Sequence, residues 1–418
     1  MKKKILILGA NPETIPIVIK AKEMGLHVIV VDPNPKSPAK EYSDESYDIN
    51  GLDTDALIQL GQKLEIDAVI VGVADILIKP YVNIATTLGL FTYGKEEFVH
   101  FLTDKGKFSE ALIEYELNPI PTFDPDFVNE ISMDSFPLLV KPPDSGGGVG
   151  MTICKNKEML ESAIKLATSQ SISKSFLIEK FMDCDDMGAY FTIKDGEVYL
   201  STIADRFTTK LQGSSSPVCI GARYPSIHTG EFIKKVLPKI RLMLQGIGVE
   251  NGILNIQFFY DGENFYAYDP GFRLQGEGSH YLMSAINNID HIEMLINFAM
   301  TGNLHIDPSR LENSFRLKGL LAASVWVLLK KGTVKDIFGL DSIKSKDYVL
   351  RVIQRFYIGD EVLDTMIGNE KQVFARIYIK ANNKDQLKDN IRYIRENLKI
   401  IDENKNNMIL DLLHEDLM

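Results

Sequence analysis

The chain opens on an aliphatic run, Ile5 to Leu8, that breaks at Gly9-Ala10-Asn11-Pro12-Glu13. A helical stretch follows to Met24-Gly25, then a second apolar run, His27 to Val31, ending at Asp32. The helical segment Thr54 to Leu64 leads to a third run, Ala68 to Val73. Continuous apolar strands alternating with amphipathic helices are the pattern of a small parallel sheet, so residues 1–100 are expected to form an α/β unit. The GANPET turn lacks the second and third glycines that let backbone approach a pyrophosphate, which argues against a dinucleotide site there.

From Thr103 to Tyr115 the spacing predicts a helix, and Pro137 to Lys141 predicts a strand running into Pro142-Pro143-Asp144-Ser145-Gly146-Gly147-Gly148-Val149-Gly150. Residues 176–204 and 253–269 read as antiparallel hairpins turning at Asp195-Gly196 and Asp261-Gly262. Beyond about residue 310, apolar runs at 319–329, 348–358 and 372–381 precede an amphipathic helix near 384–398, the pattern of a small α+β unit. The expected class is therefore α/β and α+β, in several domains.

Composition narrows the function. Hydrophobic residues make up 45% of the 418 positions and charged residues 25%, a globular balance. A net charge of -11 disfavours a broad surface for nucleic acid or anionic lipid but leaves room for a local phosphate pocket. Cys154, Cys184 and Cys219 lie far apart, with no metal or disulfide spacing, and a reducing cytoplasm is expected. The longest apolar run, Gly319 to Leu329, is half of the roughly 20 residues that cross a bilayer, so no membrane partner is expected.

Lys141 offers a fixed point charge at a strand end. The Gly146, Gly147 and Gly148 loop beyond it can bring backbone N–H groups close to phosphate oxygens. It is not a Walker sequence, since no Gly-Lys-Ser/Thr follows. Leu177-Ile178-Glu179-Lys180-Phe181-Met182 sets a carboxylate in an apolar strand end, suited to one edge of an adenine ring. In the second hairpin Gln257 and Asp269 are expected to face one another as hard oxygen ligands for Mg²⁺ or Mn²⁺. Arg273 follows, with a planar fork for a phosphoryl group or a carboxylate.

This ordered set resembles the ATP-grasp superfamily, in the branch of biotin carboxylase, carbamoyl phosphate synthetase and the glycinamide ribonucleotide ligases, over nearly the whole chain. The resemblance implies a Rossmann-like domain at 1–100, an ATP-grasp domain at 101–310 with a mobile lid at about 115–182, and a C-terminal α+β domain at 311–418. It implies that Lys105 and Lys141 hold ATP phosphates, that Gly146, Gly147 and Gly148 form the lid loop, and that Glu179 and Phe181 contact adenine. It further assigns Asp186 to the ribose, Gln257 and Asp269 to the metal, and Arg273 with Lys141 to catalysis. The family's metal segment commonly reads Glu-x-Asn-x-Arg, whereas this chain has Asp269-Pro270-Gly271-Phe272-Arg273, with a shorter carboxylate and no side chain at the asparagine position.

The implied reaction joins a small-molecule carboxylate to an amine through an acyl phosphate, releasing ADP and phosphate. Bicarbonate activation and an ATP-binding subunit of impaired catalysis are the alternatives, and a homodimer fits by analogy. Arg206, Arg223 and Glu277 are the candidate substrate contacts, with Lys210 nearby in sequence. The Arg273-Leu274-Gln275-Gly276-Glu277 run also resembles the Arg-x-Gln-x-Glu of biotin carboxylase. His280 is read as either a proton carrier or a structural histidine, and Trp326 as core.

Overall fold

A computed structural model describes residues 2–143, 149–209 and 218–418. Strands β1 (Lys4–Leu8), β2 (His27–Val31), β3 (Glu45–Tyr47) and β4 (Ala68–Val71) form a parallel sheet in the order β3-β2-β1-β4. Ile5 to Leu8 and Val28 to Val31 are fully buried, as strands covered on both faces must be. Asp32, at the end of β2, closes its own loop: it accepts from Ala10 N at 3.1 Å, Asn34 N at 2.9 Å and Ser37 Oγ at 2.7 Å.

A short strand, β5 (Asn118–Pro119), precedes a second sheet. That sheet contains β6 (Thr122–Phe123), β7 (Leu138–Lys141), β8 (Thr152–Cys154) and β9 (Leu177–Lys180), in the antiparallel order β6-β9-β7-β8. The helix Leu160–Gln170 covers it, and Leu138, Val140, Leu160, Ala163 and Ile178 make a small core separate from the rest. This sheet lies within the stretch expected as the lid.

Among the described residues the third sheet has ten strands. β10 (Asp185–Lys194), β11 (Glu197–Thr209), β12 (Val218–Tyr224), β13 (Gly252–Tyr260), β14 (Phe265–Gly271) and β15 (Leu321–Leu329) are joined by β5 and by C-terminal strands including Val349–Gln354 and Val373–Ala381. Asp195 and Gly196 both take positive φ, the pair of left-handed residues that a two-residue hairpin loop needs. The expected C-terminal unit is therefore continuous in hydrogen bonding with the central sheet, because β15, buried along nearly its whole length, pairs with β12 on one side and Val373–Ala381 on the other. Its own apolar core lies beneath the helix Lys384–Asn397. Among the described residues no helix is long and apolar enough to cross a membrane.

The β12–β15 junction depends on Gly221. Its φ is +152°, and a Cβ there would lie 2.2 Å from the Ser324 carbonyl oxygen. Gly221→Val is expected to cost ~2–4 kcal/mol by overpacking and backbone strain. Urea denaturation measures it; a loss below about 0.5 kcal/mol, the scale of an ordinary surface change, would contradict this reading of the junction.

Candidate functional site

One cleft, with a volume of about 360 Å³, gathers residues from all of the central elements. Lys105 and Asp269 line it, as do Lys141, Glu179 and Phe181 from the β7/β9 sheet and Gln257 from β13. Strand alternation explains the set. Leu139 pairs with Glu179 across β7 and β9, so Lys141, two residues on, projects from the same face. Gln257 and Asp269 are directly opposed in the β13/β14 ladder, as the hairpin reading expects. The helix expected from Thr103 begins at Lys105, because Asp104 caps it by accepting from Gly106 N at 2.9 Å and Lys107 N at 3.0 Å. That cap puts Lys105 in the first turn, with its Nζ 3.7 Å from Asp269 Oδ1.

Lys141 Nζ lies 2.6 Å from Glu179 Oε2, and both side chains are over nine-tenths buried. A buried ammonium beside one carboxylate keeps charge in a low-dielectric wall, where a phosphate oxygen interacts with it more strongly than in water. Apolar cover at this end comes from Ile120, Leu139, Met151 and Phe181.

Asp186, Arg206 and Glu277 also line the cleft, but they are spent on one another. Arg206 Nη1 donates to Asp186 Oδ2 at 2.7 Å and to the Tyr268 hydroxyl at 3.1 Å. Its Nε and Nη2 donate to Glu277 Oε1 at 3.1 and 2.6 Å. Tyr268 donates to Asp186 Oδ1 at 3.0 Å, while Tyr190 and Gln275 donate to Glu277 Oε2 at 3.1 and 2.9 Å. The Asp186 carboxylate, expected from the sequence to meet a ribose, is thus already bonded to Arg206 and Tyr268.

Two assigned arginines lie elsewhere. Arg273 does not line the cleft: Nη2 donates to Asp75 in the loop after β4, and Nη1 donates to Leu274 O at 2.9 Å. Arg223 is held by Asp205 at 2.6 Å, with its guanidinium 5.8 Å from the Phe207 ring centre. Gly146, Gly147, Gly148 and Lys210 lie outside the described residues.

Three residues in the site's surroundings carry little or no sequence signal, and of these Trp326 alone lines the cleft. Trp326, expected as core, is buried and also lines the cleft, with Arg376 over its ring at 4.1 Å. Arg376, 2% exposed, donates to Glu13 Oε1 at 3.0 Å, to Glu370 Oε2 at 2.8 Å and to Gly276 O, tying the first loop of the chain to the cleft wall. Asn255 faces Gly271 across β13 and β14, and its Oδ1 stands 2.6 Å from where a Cβ at 271 would be. A side chain at 271 has no room beside it. Spacing does carry a weak signal for Asn255, two residues before Gln257 on the same strand face.

Acid–base chemistry by histidine or cysteine is disfavoured here. Burial pushes the Cys184 and Cys219 thiols in the cleft up to about 11 and about 12, so both stay protonated near neutral pH. Burial lowers His280 to about 3 and His291 to about 4, keeping both imidazoles neutral, and His280 is a structural residue rather than a proton carrier at neutral pH. A histidine held neutral in the fold stabilises above its unfolded pKa of about 6.5, and that stability is lost as pH falls toward the folded value. Between pH 7 and pH 5 the two together are expected to remove ~3–4 kcal/mol, at roughly 1.4 kcal/mol per unit each. Urea midpoints at the two pH values test this, and equal midpoints would contradict it.

Gln257 and Asp269 fit a magnesium ion only in part. They supply two hard oxygens on adjacent strands, and among the described residues no cluster of three or more His, Cys, Asp or Glu forms a closed cage. Such an open set suits Mg²⁺, which is commonly held by one or two carboxylates plus substrate phosphates and waters.

The family model described as D-ala D-ala ligase C-terminus matches residues 122–210. A formate-dependent phosphoribosylglycinamide formyltransferase of Prochlorococcus marinus (strain MIT 9515) is 30% identical over 203 residues, 46% of this chain; the match spans about half of that relative, 51%. Among solved structures, an L-amino acid ligase from Bacillus licheniformis superposes with a TM-score of 0.79 at 18% identity, covering 96% of this chain and 99% of that one. The biotin carboxylase domain of Hydrogenobacter thermophilus 2-oxoglutarate carboxylase, a dimer in complex with MgADP and bicarbonate, gives 0.76 at 18% identity, covering 96% and 91%.

Proposed function

Because the chain belongs to the ATP-grasp superfamily, we propose that it joins a carboxylate to an amine at the expense of ATP, through an acyl phosphate. The observation that carries this reading is the convergence of Lys105, Lys141, Glu179, Gln257 and Asp269 on one cleft. Lys105 and Lys141 hold the phosphates, and Glu179 and Phe181 face the adenine. Gln257 and Asp269 hold Mg²⁺, or Mn²⁺ in its place, which when bound neutralises charge on the phosphate tail.

A carboxylate is a poor electrophile, so one of its oxygens must first be made a leaving group. That oxygen attacks the γ-phosphorus and ADP departs; the amine then attacks the acyl carbon, phosphate departs and the amine loses a proton. The protein contributes position and fixed charge. Arg273 reaches the transferring phosphoryl group, or a substrate carboxylate, by exchanging Asp75 for it on the Nη2 edge. Arg206 and Glu277 shape the acceptor end of the cleft, while Arg223 acts on substrate only by giving up Asp205.

The test is an ADP-release screen with carboxylic acids and amines in matrix form, with Arg273→Ala as the blank. Expected is ADP formation that requires both members of one pair. AMP and pyrophosphate as products would reject the reading. ADP formed with bicarbonate and no organic acid would favour carboxyphosphate chemistry, the second reading, which the Arg273-Leu274-Gln275-Gly276-Glu277 run favours.

A further inference from the structure

Arg273 also lines a second chamber, of about 10 Å³, between β10, β13 and the segment Arg273–His291. Its lining residues carry five buried side-chain atoms without a hydrogen-bond partner: Asn255 Oδ1, Arg273 Nε, Gln275 Oε1, His280 Nδ1 and His291 Nδ1. Asn255, Gln275, His280 and His291 are each more than nine-tenths buried. Buried polar atoms are almost always paired, and among the described residues five of the unpaired ones belong to residues that line this one small space.

We propose that this chamber is a binding site for a single water molecule that fixes the Nε edge of Arg273. The volume is about one water by the measure that applies to buried solvent. The lining chemistry excludes the other small occupants. A cation would share the space with the Arg273 guanidinium, and an anion would face the carboxamide oxygens of Asn255 and Gln275. Water alone can accept from the Arg273 N–H and donate to those two oxygens. The imidazoles remain as further donors or acceptors, since His291 Nε2 is already engaged with Thr192 Oγ1 at 2.9 Å.

The site also explains the glycine at 271. The Asn255 carboxamide occupies the space that a Cβ at that position would need, so Gly271 makes room for the chamber wall. With Nη1 on Leu274 O, Nη2 on Asp75 and Nε on water, every edge of the Arg273 fork has a partner. Asn255 is then a positioning residue that acts through the water and Arg273; this kinetic consequence rests on the proposed ligase reaction, whereas the water site itself does not.

A high-resolution crystal structure of the full chain is the test. Expected is one solvent peak at about 2.7–3.2 Å from Arg273 Nε and from at least two of the other four atoms. A chamber without such a peak, or one that takes up xenon under pressure as a dry void does, would overturn the proposal. In Asn255→Leu the peak is expected to vanish and turnover to fall about tenfold, with nucleotide Kd changed less than twofold. Unchanged turnover would overturn the positioning role. Gly271→Ala, which pushes the Asn255 carboxamide aside, is expected to lose the same peak and provides the second variant if the leucine protein does not fold. If the wild type turns over no acid–amine pair, the ligase reading fails while the solvent peak still decides the site.

Discussion

Lys141→Met is expected to weaken ATP binding about 100-fold and to lower turnover by at least as much. The ammonium is buried beside Glu179, and in the proposed complex it faces a phosphate oxygen inside the cleft wall. At an effective dielectric constant of about 20, a unit charge pair at about 4 Å is worth roughly 4 kcal/mol. Desolvation takes back part of that, leaving ~3 kcal/mol, or about two powers of ten in affinity. Methionine keeps the length and apolar contacts of the stem but leaves Glu179 buried without its partner, so stability falls as well as affinity. Calorimetric titration of the folded protein with a non-hydrolysable ATP analogue measures the affinity, and a thermal melt measures the separate loss of stability. A change below about fivefold, ~1 kcal/mol, would show that Lys141 does not face the phosphates.

Arg206→Met is expected to be the most destabilising single change in the cleft. The guanidinium holds Asp186 and Glu277 together, and all three side chains are more than four-fifths buried. Removing one member of such a set leaves uncompensated charge inside the protein, at ~3–5 kcal/mol. That is a large share of the 5–15 kcal/mol, roughly, that holds a domain folded. Urea denaturation measures the loss. Adding Asp186→Asn and Glu277→Gln to the methionine variant is expected to return part of it, because the orphaned charges are then gone. A loss under about 1 kcal/mol, the value of a solvated surface pair, would mean that the network is open to water.

The parts of this molecule legible in the sequence are those fixed by local rules. The apolar runs at Ile5, His27 and Ala68 have no polar alternation, and they become the strands of the parallel sheet. Asp195-Gly196 and Asp261-Gly262 can turn a hairpin because their backbone tolerates positive φ, and both hairpins are present. Two-residue alternation then sets Gln257 opposite Asp269.

The less legible parts depend on long-range pairing. Nothing near Leu321 says that it will extend the central sheet through Gly221, because strand partners so far apart leave no local trace. Arg273 follows the Gln257/Asp269 pair in sequence and carries a fork suited to phosphate, yet its direction is set by Asp75, nearly two hundred residues away. Arg206 and Glu277 read as open contacts for substrate, whereas Tyr190, Tyr268 and Asp186, brought in by the fold, satisfy them internally. Glu13 shows the same limit: a residue in the first turn of the chain closes a network with Arg376, which packs on the cleft-wall residue Trp326.

The most direct measurement of the central claim is the fate of a carboxylate oxygen. The protein is incubated with ATP, magnesium and the acid–amine pair that the screen identifies, the acid carrying ¹⁸O in its carboxylate, and the released phosphate is read by its ³¹P isotope shift. One ¹⁸O is expected in inorganic phosphate for each amide formed, since the oxygen that attacks the γ-phosphorus leaves with it. Unlabelled phosphate, or label appearing in AMP, would contradict an acyl phosphate made in this cleft.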